Sequence, residues 1–307
     1  MTVRVAFLGL GHMGAPMARN LAVAGHDVIG FDVSPTARAG AAEGGMPVAE
    51  TAHEAVAAAS VVVTMFQTGR QVIDAYAGTD DGDGLLAAAP AGTLFIDCST
   101  ISVEDARAAH GLAEAAGHRA LDAPVSGGVV GAENATLAFM VGGSEEDVAA
   151  AEPLLSTMGR RVVHCGGPGL GQAAKVCNNM ILAASQIVVA EAFVLGERLG
   201  LSHQALFDVA SNASGQCWAL TTNCPVPGPV PTSPANRDYQ PGFAGALMAK
   251  DLGLAADAIA QTGVDARVGL LARDLYRAFA DGAGAGQDFS GIITMIRSGS
   301  DDPGGRG

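Results

Sequence analysis

The chain has 307 residues, of which 49% are hydrophobic and 16% charged. This composition excludes a disordered protein and favours a globular one of more than one domain. A formal net charge of −14 and a pI near 4.7 leave no concentrated basic surface, so nucleic acid is not an expected partner. Five cysteines (Cys98, Cys165, Cys177, Cys217 and Cys224) form no C-x-x-C pair, and seven histidines show no ligand spacing. Free thiols and no metal are therefore expected.

The first element is a strand over Val3–Leu8, with neither a basic leader nor a small-residue cleavage site ahead of it. No run of about 20 uncharged apolar residues carries the flanks of a membrane span. A cytoplasmic protein without a membrane partner is expected. Further strands follow at Asp27–Phe31, Val61–Met65, Leu94–Asp97, Ala120–Ala123, Ala138–Val141 and Val162–Cys165. Alanine-rich helices fall between them at Ala15–Ala24, Ala52–Ala59 and Val103–Ala116. Alternation of continuous apolar strands with helices predicts a parallel sheet covered on both faces.

Beyond "HCGGPGLG" the pattern becomes helical. Gln172–Leu199 contains no proline and predicts one helix of about 42 Å, apolar nearly all round. Shorter helices are expected at His203–Asn212, Ala244–Thr262 and Ala266–Ala280. The prolines of Cys224–Phe243 exclude helix or central strand there. Because Trp218, Tyr239 and Phe243 bracket this segment, it is expected to be an ordered loop. Trp218 itself is expected in the core or as a pocket wall.

Four motifs carry chemistry. In "VAFLGLGHMGAPMARNL" the run Gly9-Leu10-Gly11-His12-Met13-Gly14 forms G-x-G-x-x-G between the first strand and a helix. One glycine permits the turn, one lets backbone approach a pyrophosphate, and one lets helix pack on strand. Asp32 closes the second strand, where a carboxylate accepts from ribose hydroxyls and repels a 2′-phosphate. NAD is thereby favoured over NADP, although Arg38 lies within reach of the same pocket. The loop Ser126-Gly127-Gly128 follows a strand end, and its backbone N–H groups and hydroxyl suit a small carboxylate as well as they suit a plain turn.

The chain has two lysines, Lys175 and Lys250, against fifteen arginines. Lys175 and Asn179 are spaced i, i+4 and share a helix face. A lysine in apolar surroundings has its pKa lowered and suits proton transfer, which arginine cannot perform. A solvated lysine near a helix start is the plainer alternative. Lys250 and Asp251 read as a surface ion pair or, alternatively, as a cation facing an anionic cofactor or substrate.

Together these segments resemble the β-hydroxyacid dehydrogenase family over nearly the whole chain, and "GQCWALTTNC…GFAGALMAKDLGLA" resembles its 3-hydroxyisobutyrate branch. The resemblance implies an α/β fold: an N-terminal Rossmann-type NAD-binding domain over 1–165, joined through a long interdomain helix to an all-α substrate and oligomerisation domain over 166–298. A flexible tail is expected over 299–307. It implies Lys175 as catalytic acid/base with Asn179 as its partner, and Ser126, Gly127 and Gly128 as the substrate-carboxylate loop. Cofactor contacts are implied at the first glycine loop, Asp32, Phe66, Gln67, Gln71, Ser99, Thr100 and Lys250. The family often has asparagine at His12, Leu-Pro at Phe66–Gln67 and glycine at Ala135. A small 3-hydroxy acid substrate, NAD and a homodimer or homotetramer follow from the same resemblance. Reduction of a short aldehyde acid such as tartronate semialdehyde, and a non-catalytic dinucleotide-binding module, are the alternatives.

Overall fold

The computed structural model describes residues 2–79 and 82–301. By internal contacts the chain divides into Met1–Lys175 and Val176–Gly307. The division falls inside the long helix, whereas the expected boundary lies at 165/166, one residue before the last strand ends.

The first unit holds β1 (Arg4–Leu8), β2 (Asp27–Phe31) and β3 (Val61–Thr64), then a small ladder of β4 (Gly78–Thr79) and β5 (Gly82–Asp83). It continues with β6 (Leu94–Asp97), β7 (Arg119–Asp122), β8 (Val125–Ser126), β9 (Leu137–Gly142) and β10 (Gly159–Gly166). The main sheet runs β10-β9-β7-β6-β3-β1-β2, with β8 also paired to β9. Strand order reverses beside β1, the point at which open α/β sheets form a crevice at their carboxyl ends.

Pairing is parallel from β2 through β7, as expected. The sheet is not wholly parallel, however, because β9 meets β7 antiparallel. After Pro124 no long crossover helix returns the chain to begin a parallel strand; only a short helix over Gly128–Glu133 intervenes. Instead Val125 and Ser126 pair with Phe139 and Ala138, so the chain reverses and β9 enters in the opposite sense.

Alternation along the strands divides the core into two layers. Val5, Phe7, Val61, Val63, Leu94 and Ile96 face one side. Ala6, Leu8, Val62 and Phe95 face the other. The covering helices are α1 (Gly14–Val23), α2 (Pro35–Glu43), α3 (Ala52–Val56), α4 (Gly69–Ala77), α5 (Leu85–Ala88), α6 (Val103–Ala115), α7 (Gly128–Glu133) and α8 (Glu145–Leu155). Composition hides α2, α4 and α8, which contain glycine, proline or many polar residues. Their caps reveal them: Ser34, Thr68 and Ser144 each accept a backbone N–H of the first turn, and Thr68 with Gln71 forms a capping box.

The helix α9 (Leu170–Arg198) has 29 residues and begins two residues before its expected start. By length and composition it could cross a membrane, yet half of its most apolar window is buried inside the protein. The second unit adds α10 (His203–Ala210), α11 (Trp218–Thr221), α12 (Gly245–Thr262), α13 (Arg267–Asp281) and α14 (Ile292–Asp301). Phe193, Met248, Leu252, Tyr276, Phe279, Phe289 and Ile292 form its core. Helix α14 continues through 299–301, where a tail was expected to begin, and residues 302–307 lie outside the described residues.

The proline-rich segment is an ordered loop. Ser233 Oγ donates to Cys224 O at 2.5 Å, Asn236 Nδ2 to Val230 O at 2.8 Å, and Tyr239 OH to Pro225 O at 2.8 Å. Its end is pinned by buried Asp288, which accepts from the N–H groups of Gly242 and Phe243 and from Asn223 Nδ2. Trp218, however, is 51% exposed at the start of α11 and is not a core residue.

Ala135 follows α7 with φ 53°, a left-handed conformation. A β-carbon there costs about 1–2 kcal/mol, partly offset because glycine would loosen the unfolded chain by about 0.4–1 kcal/mol. Ala135→Gly is accordingly expected to raise stability by roughly 0.5–1 kcal/mol. Urea denaturation checks this, and an unchanged or lower midpoint at equal slope would rule out strain at Ala135.

Candidate active site

The turn between β1 and α1 is shaped by contacts that leave no room for side chains. Gly9 has φ +98°, and a β-carbon there would lie 2.3 Å from Met65 O. At Gly14 a β-carbon would lie 1.8 Å from Gly9 O, so helix and strand meet backbone to backbone. Gly11 differs: nothing lies within 4 Å of its β-position. The middle glycine thus faces open space at the amino end of α1, where N–H groups and the helix dipole favour an anion. Met13 caps α1 without a side-chain bond, and His12 is exposed.

Asp32 links this turn to the end of β2. Its Oδ2 accepts from Leu10 N at 2.7 Å and its Oδ1 from Ser34 N at 2.7 Å. Each oxygen keeps a further lone pair, enough for ribose hydroxyls. Arg38 is turned onto its own backbone: Nη1 donates to Asp32 O at 2.6 Å, and the guanidinium lies 5.6 Å from the Phe31 ring centre. Open space at Gly11, close packing at Gly9 and Gly14, and the carboxylate at β2 together fit a dinucleotide.

The loops after β3 and β6 are tied together beneath this edge. Asp97 Oδ1 accepts from Thr64 Oγ1 at 2.7 Å and from Ser99 Oγ at 2.6 Å. Phe66 N in turn donates to Ser99 Oγ at 2.7 Å. Asp97 Oδ2 is buried and has no hydrogen-bond partner among the described residues. Burial pushes the Asp97 carboxyl up to about 6, against the Ser99 and Thr64 hydrogen bonds that favour its ionised form. Ser99 is wholly buried, so its hydroxyl serves the protein interior, while Thr100 beside it is partly exposed. Gln71 Oε1 accepts from Gln67 N at 3.0 Å and Thr68 N at 3.1 Å. Its carbonyl is thereby committed to the α4 cap.

Asp122 ends β7 and holds the start of α9. Its Oδ1 accepts from Gly169 N at 2.7 Å and its Oδ2 from Gln172 N at 2.9 Å. Burial raises its pKa, and these two N–H bonds oppose the rise. The same strand end leads through Pro124 into Ser126-Gly127-Gly128. Gly127 (φ 134°) and Gly128 (φ 63°) both occupy positive-φ backbone regions that favour glycine. Ser126 is partly exposed there. Lys175 follows Gln172 by three residues on α9 and is 7% exposed, so it is not the solvated lysine of the plainer reading.

In the second unit Asn179 is 2% exposed, and its Nδ2 donates to Asp251 Oδ2 at 2.6 Å. Asn178 Nδ2 donates to Asn179 Oδ1 at 3.1 Å. Asp251 is 5% exposed, so it is not a surface residue, although Lys250 beside it on α12 is partly exposed. Sequence reasoning missed Asp122, Gln172 and the Asp251–Asn179 bond. Asp122 opens the "DAPVSGG" stretch and Gln172 lies within "GQAAK", but their spacing of 50 residues carries no periodic signal.

Two family patterns cover the chain. The one described as the NAD binding domain of 6-phosphogluconate dehydrogenase matches residues 4–167. The one described as the NAD-binding domain of NADP-dependent 3-hydroxyisobutyrate dehydrogenase matches residues 169–296. A probable 3-hydroxyisobutyrate dehydrogenase of Mycobacterium tuberculosis is 60% identical over 297 residues, 97% of this chain and 99% of the relative. An NAD-dependent L-serine dehydrogenase of Pseudomonas aeruginosa is 45% identical over 95% of this chain and 97% of its own length. Among solved structures, Mycobacterium tuberculosis 3-hydroxyisobutyrate dehydrogenase with L-serine superposes with a TM-score of 0.92 at 59% identity, covering 97% of this chain and 100% of that one. Sequence identity at this level over nearly the full length, together with a closely superposing fold, places the chain in the 3-hydroxyisobutyrate dehydrogenase family, and it is a nicotinamide-nucleotide-dependent oxidoreductase.

Proposed function

We propose that this enzyme catalyses the reversible, NAD-dependent oxidation of 3-hydroxyisobutyrate to methylmalonate semialdehyde. The observation that carries the reading is Lys175, buried near the start of α9 in the same unit as the glycine turn and the Ser126 loop. Bound NAD supplies the acceptor for the hydrogen on C3 of the substrate. Gly9, Gly11 and Gly14 would present backbone to its pyrophosphate, and Asp32 would accept from the ribose hydroxyls. Leu10, His12, Met13, Phe66, Gln67, Gln71 and Thr100 complete the proposed cofactor contacts in the first unit, with Ser99 acting through Phe66.

Lys175 takes the hydroxyl proton as C3 becomes a carbonyl carbon, and returns it in the reverse direction. Ser126 and the Gly127 and Gly128 N–H groups hold the substrate carboxylate, which fixes a small molecule with few contacts. Asn179, one helical turn beyond Lys175 and held by Asp251, steadies the reacting hydroxyl. A second reading has L-serine as substrate, supported by the L-serine named with two of the relatives. Serine offers the same carboxylate and C3 alcohol, so the same residues would act. Valine breakdown in the cytoplasm is the proposed setting.

A homodimer or homotetramer belongs to the same proposal. Ile181, Val188 and Leu195 recur every seven residues along α9 and are each more than half exposed. A stripe at that spacing suits packing against a second helix.

Lys175→Ala is expected to lower kcat by about 10²–10⁴, the weight of a general acid–base group. Lys175→Arg should be nearly as inactive, since it keeps charge without a transferable proton. Normal turnover by either folded variant would sink the assignment. A panel of 3-hydroxy acids, with L-serine included, sets the preferred substrate. With NADP the wild-type kcat/KM should be at least about tenfold below that with NAD, because a carboxylate facing a 2′-phosphate costs several kcal/mol. Asp32→Asn should narrow that gap, and equal wild-type rates with both cofactors would remove this role for Asp32. Light scattering of Val188→Asp tests the assembly: a mass unchanged from the wild-type oligomer would place the interface elsewhere.

A further inference from the structure

Gln172 is fully buried, and both ends of its side-chain amide are committed. Oε1 accepts from Ile101 N at 3.2 Å, and Nε2 donates to Ser99 O at 2.7 Å. Its own N–H is the group that donates to Asp122 Oδ2 at 2.9 Å. Ser99 bridges onward, donating to Asp97 at 2.6 Å and accepting from Phe66 N at 2.7 Å. One residue of the first turn of α9 therefore joins the loop after β3, the loop after β6 and the end of β7. All these contacts lie within the first unit.

The amide is oriented without ambiguity. A flip would set an oxygen against the Ser99 carbonyl and an N–H against the Ile101 N–H. Two hydrogen bonds to successive points of one loop specify the rotation and height of the helix start. Lys175 lies three residues on, nearly one turn above Gln172, so whatever sets the rotation at 172 sets the direction of the lysine.

We propose that Gln172 is a positioning residue for proton transfer: it fixes the rotation and height of the first turn of α9 against the 99–101 loop, and thereby sets the direction of Lys175 without touching substrate or cofactor. The proposal rests on Lys175 being the acid–base group. Displacement of a reacting group by about 1 Å can cost on the order of 10² in rate. Losing the latch thus acts on the chemical step rather than on binding.

Two variants of the full chain test it. Gln172→Met keeps length and burial and removes both side-chain bonds. Gln172→Glu keeps the acceptor for Ile101 N and removes the donor to Ser99 O. Each is expected to lower kcat for 3-hydroxyisobutyrate oxidation by about 10–100-fold. The substrate KM and the NADH dissociation constant should stay within about threefold, the pattern of an interaction that matters in the transition state. NADH fluorescence should report full stoichiometry, which excludes a partly inactive sample. The deuterium isotope effect at C3 on kcat should rise as the chemical step becomes limiting, a change that simple destabilisation would not produce. Wild-type kcat and isotope effect in both variants would overturn the proposal. So would a raised KM at unchanged kcat, or loss of NADH binding and folding in both, which would assign Gln172 to binding or to the fold. Lys175→Ala, assayed beside them, separates the two ideas. Normal turnover there removes the lysine reading itself, whereas an inactive Lys175→Ala with a fully active Gln172→Met removes the positioning role alone.

Discussion

The buried carboxylate of Asp122 is the joint that ties the sheet of the first unit to the start of α9. It stands at the end of β7, accepts from Gly169 N and Gln172 N, and so caps α9 with a side chain 50 residues away in sequence. Helix starts leave N–H groups unpaired, and a buried start without a partner would cost several kcal/mol in lost hydrogen bonding. Burial raises the pKa of Asp122 and the two N–H bonds oppose that rise, so the carboxylate and the helix start each satisfy the other. Because the strand that ends at Asp122 continues into Ser126-Gly127-Gly128, that glycine loop and the helix bearing Lys175 share one anchor.

A similar economy governs the cofactor edge. Gly9 and Gly14 approach so closely that any side chain would force strand and helix apart. Asp32 then holds the turn through Leu10 N and keeps lone pairs for a ribose. The loops beyond β3 and β6 are not independent, since Asp97 binds Thr64 and Ser99, and Ser99 binds Phe66 N. Polar side chains buried in this way exchange solvation for geometry, and each hydrogen bond reduces the freedom of a loop that would otherwise wander.

The second unit solves a comparable problem with different residues. Its proline-rich loop cannot satisfy itself with helical or sheet hydrogen bonds. Asp288, Ser233 and Asn236 supply the missing partners, and Asp288 alone receives two loop N–H groups and the Asn223 amide. Asp251 does for Asn179 what Asp122 does for Gln172, fixing a polar group on α9 from a neighbouring element.

Local pattern determined much of this protein. Continuous apolar strands, the glycine turn ahead of α1, Asp32 at the end of β2 and the long helix containing Lys175 all appear in the chain as short-range signals, within three residues of where they lie. Helices α2, α4 and α8 are not read in the sequence, because their polar and glycine-containing faces suppress the apolar period and only their caps mark them. The tertiary structure alone decided the reversal of β9, the burial of Asp251, the exposure of Trp218 and the joint at Asp122, Gln172 and Ser99. Periodicity reports which face of an element is apolar, and it carries no record of which distant donor meets which acceptor. Those pairings arise only when the sheet order brings the strand ends together, and here they anchor the start of the helix that carries Lys175.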